Sequence, residues 1–234
     1  MTKNEAQEKI AETQRLLNAY YGVLKLEPRR EPLRELISTM LSHRTTHNNE
    51  EKAYFQMLEK FGDWEGVLKA KFEDLADALA PAQFPGQKAA NIQKVLQLIK
   101  DQPANKGKIS IDFLQKLSTE EAMEWLTSLP GVGLKTASLL LLFNYHKPVM
   151  PVDTHVFRVS QRVGILAATD TPEKAHTILL EMLPKDAVAL YNYHIHLLWH
   201  GQRICTWRKP KCEKCVLNGI CNYYREVVKA DLEI

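Results

Sequence analysis

One lysine stands where helix electrostatics argue against it. In LPGVGLKTASLLLLF, Leu129 to Phe143, two glycines flank a valine and an apolar helix then begins, with Lys135 in its first turn. A helix N-terminus carries partial positive charge, which favours acids there and disfavours a cation. A free lysine has a pKa near ~10.4, so about one in 2,500 is neutral at pH 7. Dipole repulsion and partial burial both disfavour the ammonium. The neutral amine is a nucleophile that can form a Schiff base with a sugar aldehyde. The alternative is a lysine that reaches outward to a phosphate. Gly131 and Gly133 bear on that ligand as well, because glycine lets backbone amides approach closely and amides at a helix start bind anions. A tight helix–turn–helix without a ligand is the other reading of the same tetrapeptide.

A lysine nucleophile needs a group to move protons and to stabilise positive charge, and a carboxylate does both. Asp153, in PVMPVDTHVFRVSQRV, lies 18 residues after Lys135. Only one helix and a short return separate them, which allows the two to lie close in space. Asp is also a good N-cap, so a purely capping role is the alternative. The third chemical group is a set of thiols. All four cysteines fall between Cys205 and Cys221, and none occurs earlier. A disulfide framework would spread its cysteines, and a reducing compartment would keep them as thiols. A tight group of four reads as a metal site.

The elements that must position these groups are helical. Leu33, Leu36, Ile37, Met40 and Leu41 follow the spacing of a core-facing helix. NNEEKAYFQMLEKFG repeats the type and ends on Gly62 as a C-cap. QKAANIQKVLQLIKD is another helix, and Ser118 with Glu121 forms a capping box ahead of the next. TPEKAHTILLEMLP has Pro172 near its start and Pro184 at its end. No alternating strand and no solenoid-length repeat stand out, so the expected fold class is all-α. His194, His196 and His200 share a helical segment, but 194 and 196 point some 200° apart, off a common face. They read as packing, capping or phosphate contacts rather than as a metal site.

Composition sets outer limits. The chain has 234 residues, 45% hydrophobic and 25% charged, as in ordinary globular proteins. A net charge of +3 permits a polyanionic partner without demanding one. No apolar run is long enough for a membrane span, and the polar N-terminus has no signal-peptide core. A cytoplasmic location, on the nucleoid in a bacterium, is expected.

LPGVGLKTA, then VDTHVFRV, then Cys205-x6-Cys212-x2-Cys215-x5-Cys221 occur in that order, and together they resemble the endonuclease III family. This is the iron–sulfur branch of the helix-hairpin-helix DNA glycosylases. The likeness runs from about Glu31 to Tyr223. It implies that Gly131, Val132 and Gly133 hold DNA phosphate, that Lys135 is the Schiff-base nucleophile, and that Asp153 is the acid required for excision. It implies that Cys205, Cys212, Cys215 and Cys221 ligate a [4Fe–4S] cluster. From the residues alone a four-cysteine zinc site is the rival, although the spacing favours iron–sulfur. Arg208, Lys209 and Lys211, between the first two cysteines, would become a fixed comb for DNA phosphates and make binding salt-dependent. The implied architecture is two helical lobes flanking a DNA-binding cleft. Residues 25–147 would form a six-helix barrel lobe with the hairpin, and 1–24 with 148–234 the cluster lobe. Lys135 and Asp153 would line the cleft. The partner would be double-stranded DNA carrying a damaged base or an abasic site, met by a monomer, and no membrane.

The likeness departs at the segment that fills the gap left by a flipped nucleotide. The family usually reads LSAQAT, with the glutamine as wedge, whereas this chain reads LSHRTTH and places Arg44 there. Related thymine-mismatch glycosylases have an arginine and two threonines, but lack the catalytic lysine that this chain keeps. Arginine can stack and donate several hydrogen bonds to an orphan base. Phe84 replaces the usual leucine at a second wedge position, where an aromatic ring is a reasonable wedge and core packing is the alternative. The adenine-excising relatives usually carry a further domain. Here 13 residues follow Cys221, so that activity is not expected. The expected function is removal of damaged bases, oxidised pyrimidines foremost, with β-elimination at the abasic site. A mismatch-type or abasic-site-only variant and a non-catalytic DNA-binding module are the alternatives.

Overall fold

The computed structural model describes residues 3–28 and 30–228, and among them no strand occurs. The helices run α1 (Lys3–Tyr21), α2 (Pro32–Ser42), α3 (His47–Phe61), α4 (Trp64–Lys69), α5 (Phe72–Ala78), α6 (Pro85–Lys100), α7 (Thr119–Ser128), α8 (Leu134–Tyr145), α9 (Thr154–Val163), α10 (Pro172–Met182) and α11 (Ala187–Arg203). Short 3-10 turns join several of them.

The ends form for local reasons. Glu31 caps α2 by accepting from the amides of Leu33 and Arg34, and Pro32 supplies the first helical residue. Gly62 ends α3 with φ 81°, a conformation that costs glycine little. Ser118 and Glu121 complete the capping box of α7. The helices α4 and α5 lie outside the sequence reading, since six or seven residues make less than two turns and show no clear period.

The chain divides into two compact units, Pro28–Tyr145 and the segments on either side of it. The division lies slightly inside the 25–147 limits expected from sequence. The reason is Asn192 of α11, whose side chain accepts from Leu24 N at 2.7 Å and donates to Leu24 O at 3.0 Å. That pair keeps the residues after α1 with the flanking unit.

In the Pro28–Tyr145 unit, α8 packs on α2 and α7. Leu140, Leu141 and Leu142 are at most 1% exposed. Three consecutive buried leucines cannot come from one face of a helix, so α8 is the interior helix of its unit. Burial at roughly 1.5–3 kcal/mol per leucine far exceeds the cost of a misplaced cation at its start, ~0.3–1 kcal/mol. In the flanking unit, α9 packs on α11, and α1 packs on α11 and α10.

Candidate functional site

The hairpin between α7 and α8 is built around Gly131, which has φ 78°. A Cβ there would also lie 2.7 Å from Asn91 Nδ2, the movable end of a side chain, so it is the backbone conformation that favours glycine. Val132 turns inward, 5% exposed, and anchors the loop, while Gly131 and Gly133 face solvent. The first backbone bond of α8 runs from Ala137 N to Gly133 O. The amides ahead of it have no partner within the helix, which is the arrangement that receives an anion.

Lys135 lies in the first turn of α8, half-buried, with no acid beside it in that turn. Among the described residues its amine has no hydrogen-bond or ion-pair partner. Its charge is felt by His43, whose imidazole is pushed below the ordinary histidine range by desolvation first, then by Lys135 and Lys88. His43 Nε2 lies 3.2 Å from Thr136 Oγ1, tying the end of α2 to the start of α8.

Arg44 and Phe84 come together. Both have left-handed backbones, φ 54° and 56°, which for non-glycine residues costs about 1–2 kcal/mol each. The Arg44 guanidinium sits over the Phe84 ring, 5.8 Å from its centroid. Phe84 is 51% exposed, which excludes the core-packing reading. Both border a cavity of ≈ 420 Å³ whose walls include Met40, His43, Lys88 and Gly131, so the hairpin and the two loops share one concave surface.

Asp153 does cap α9. Its Oδ1 accepts from the amides of His155 at 2.9 Å and Val156 at 2.7 Å. Because one oxygen takes both bonds, Oδ2 keeps its lone pairs for another partner. Capping and chemistry are thus compatible in this carboxylate.

Cys205, Cys212, Cys215 and Cys221 line one cavity. Burial raises Cys212 and Cys221, and pushes Cys215 up to about 12, with the other thiolates adding to each shift. Thiols gathered around one cavity need a bound cation to ionise together. Among the described residues, the one group of three or more His, Cys, Asp or Glu ligand atoms within 4.8 Å of one another is His47, Glu50 and Glu51. The acidic group itself is already occupied: Arg30 meets Glu50 at 3.3 Å and Glu51 at 2.6 Å.

Several residues around the thiols escaped the sequence reading. Arg158 is 8% exposed and donates to Cys205 O at 2.9 Å and Gly201 O at 2.8 Å. One turn later Arg162 donates to Thr206 O and Trp207 O, both at 2.8 Å, and stacks on Tyr223. Their i, i+4 spacing was a usable signal, since it places both on one face of α9. His200 Nε2 lies 3.2 Å from Cys215 Sγ, and Tyr21 Oη lies 3.4 Å from Nδ1. Tyr21 donating to Nδ1 and Nε2–H donating to sulfur satisfies both contacts. His194, His196 and His200 are at most 2% exposed, so they pack rather than meet phosphate. Arg208, Lys209 and Lys211 are exposed, with Trp207 among them 71% exposed.

A helical protein with an anion-receiving glycine hairpin, a lysine beside it and four thiols around one cavity has the parts of a helix-hairpin-helix DNA repair protein. Residues 37–185 match the family described as HhH-GPD superfamily base excision DNA repair protein. Endonuclease III of Thermotoga maritima is 35% identical over 202 residues, 86% of this chain and 88% of that protein. A solved structure of a trapped endonuclease III–DNA covalent intermediate, in an estranged-adenine complex, superposes with a TM-score of 0.77. It is 25% identical and covers 97% of this chain and 99% of its own. A thermostable thymine-DNA glycosylase shares the fold, with a TM-score of 0.75 at 20% identity over 94% of this chain and 98% of its own. The chain belongs to the endonuclease III family of the HhH-GPD superfamily. No helix among the described residues is long and apolar enough to cross a membrane.

Proposed function

We propose that this protein is a bifunctional DNA glycosylase and abasic-site lyase of base excision repair, that it removes damaged pyrimidines, and that Lys135 is its nucleophile. The observation that carries the reading is Lys135 itself, unpartnered in the first turn of α8 beside a hairpin whose left-handed turn favours glycine at Gly131. The hairpin amides of Gly131 and Gly133 hold a DNA phosphate, with Val132, whose amide is given to Leu129 O at 3.1 Å, fixing the turn between them, and this brings a sugar to the amine. The Lys135 lone pair forms a bond to sugar C1′, and the electrons of the glycosidic bond leave with the base, which takes a proton. Opening of the sugar ring gives a protonated imine. Loss of a C2′ proton then expels the 3′ phosphate by β-elimination. Asp153 moves protons in these steps and stabilises the cationic sugar, using the oxygen that does not cap α9.

The test is to incubate the protein with duplexes carrying thymine glycol, a G:T mismatch or an abasic site, and then add borohydride. Hydride reduces the imine to an amine and makes the crosslink permanent. Crosslinking to the thymine glycol duplex is expected. Crosslinking to the abasic duplex alone restricts the protein to lyase chemistry, and binding without any crosslink overturns the lysine assignment. A second reading, thymine excision from G:T mismatches, is favoured by Arg44 and is the remaining arm of the same assay.

Arg44 bears on the base left behind. A guanidinium only donates, so it matches the O6 and N7 acceptors of guanine better than adenine, which presents a donor at N6. Arg44→Gln is expected to erase a preference for guanine opposite the lesion worth ~1–3 kcal/mol, about 5- to 150-fold in single-turnover rate. Equal rates opposite guanine and adenine in the unmodified protein would exclude this role.

The four cysteines hold a [4Fe–4S] cluster in this reading, supported by the one cavity that all four line. When bound, the group supplies covalent cross-links and a redox-active centre. The chain needs the cross-links, because between residues 202 and 228 only Leu217 is buried. Cys215→Ser should lower iron and sulfide content and loosen this segment. Affinity for duplex DNA should then fall, and the log–log salt slope should shrink by about 2–3 as Arg208, Lys209 and Lys211 lose their fixed places. An unchanged salt slope in cluster-free protein would show that these cations do not contact phosphate.

A further inference from the structure

Lys88 of α6 is a buried cation outside the chemistry described above. It is 7% exposed and has no ion-pair partner among the described residues. Its ammonium donates to Leu41 O at 2.5 Å, His43 O at 3.0 Å and Thr45 Oγ1 at 2.8 Å. All three of its donors are therefore used. The two carbonyls belong to the C-terminal end of α2, where helix carbonyls lack partners. Thr45 Oγ1 also accepts from Gln83 N at 3.0 Å. One amine and one hydroxyl thus join two loops that are distant in sequence, and each loop carries one of the left-handed residues, Arg44 and Phe84. Burial pushes the Lys88 amine down to about 8, so a methionine of similar length would avoid the desolvation. A charge kept there in spite of that cost has a use that packing alone does not explain.

We propose that Lys88, acting with Thr45, is a positioning residue that pins Arg44 and Phe84 as one rigid pair, set in advance to fill the space left by a flipped nucleotide. The inference rests on the reading of Arg44 and Phe84 as the groups that enter the duplex. Without Lys88 the Leu41 carbonyl loses this donor and His43 O keeps only the Thr45 hydroxyl, at 3.2 Å; the bend at Arg44 relaxes, and the guanidinium leaves the Phe84 ring. The pair must then be assembled on DNA at each encounter. The loss falls on nucleotide flipping, while the hairpin and Lys135 stay in place.

The experiment uses the full chain and a duplex with a tetrahydrofuran abasic analogue opposite 2-aminopurine, whose fluorescence rises on unstacking. It requires no catalysis. The unmodified protein should raise the signal, and Lys88→Met and Thr45→Val should lose most of that rise while melting within a few degrees of the parent. On the lesion duplex, Lys88→Met should slow single-turnover excision by about 10²-fold, the scale expected when reacting groups are misplaced by an ångström. In an Arg44→Ala background the same change should have little further effect, because both act through one element. If Lys88→Met does not fold, Thr45→Val, nearly isosteric and only partly buried, carries the test. A fluorescence rise kept in full by the variants, or a Lys88→Met penalty as large without Arg44 as with it, overturns the inference alone. An unmodified protein that binds this duplex with no rise overturns the reading of Arg44 and Phe84, and the inference with it.

Discussion

Lys135→Ala abolishes the borohydride crosslink to every duplex and leaves DNA binding within a few-fold of the unmodified protein. The expectation follows from the position of the residue. The amides proposed to hold phosphate belong to the backbone of the hairpin, and Gly131 and Val132 shape that hairpin without help from the lysine. Truncating the side chain removes the amine and little else. Stability should hold or rise slightly. The variant replaces a cation that opposes the helix dipole, at ~0.3–1 kcal/mol, with the residue of highest helix propensity. The protein therefore melts at or just above the parent temperature while losing its covalent chemistry. A variant that loses crosslinking and also melts much lower would point to a structural role for Lys135. A variant that still crosslinks would place the nucleophile elsewhere, and Lys88, the other lysine near the cavity, would be the first to test.

Asp153→Asn separates the two roles of the carboxylate. Asparagine caps a helix about as well as aspartate, so the bonds to His155 and Val156 can be kept and stability should change by less than ~0.5 kcal/mol. The amide cannot take up a proton or stabilise a cation as the carboxylate does. Excision should fall by roughly 10²–10⁴-fold in single-turnover rate, the usual range for a lost acid–base group. Asp153→Ala should show the same kinetic loss plus about 1 kcal/mol of destabilisation from the missing cap. If Asn keeps the parent rate, the cap is the whole function of this residue. Measuring both variants by thermal melt and by excision rate decides between the two readings.

The sequence alone carried the local features. The capping box at Ser118, the C-cap at Gly62, Pro172 at a helix start and the cap at Asp153 are all set by residues within four positions of one another. Short-range geometry is written in short-range sequence. The all-helical class was legible for the same reason, through hydrophobic spacing in each segment. Lys135 was legible because its conflict with the helix dipole needs only the neighbouring residues to be seen. The cysteines were legible because thiols are rare in this chain and clustered.

Tertiary structure decided what depends on residues far apart in the chain. Whether Phe84 faced core or solvent could not be read from AQFPGQ, because one aromatic residue in a loop has no period. The fold exposes it and sets it against Arg44, 40 positions earlier. Lys88 reads in sequence as an ordinary surface lysine of an amphipathic helix. Only packing against the end of α2 buries it and gives it three acceptors. Arg158, Arg162 and His200 gain their meaning from contacts with the cysteine segment 15 to 47 positions away. Backbone carbonyls and sulfurs make poor sequence signals, since every residue has a carbonyl and the partner of a buried donor is chosen by the fold. The types and order of a few residues thus carry the family likeness and the chemistry proposed for it, and packing determines which cations are buried, which rings are presented and which loops are held together.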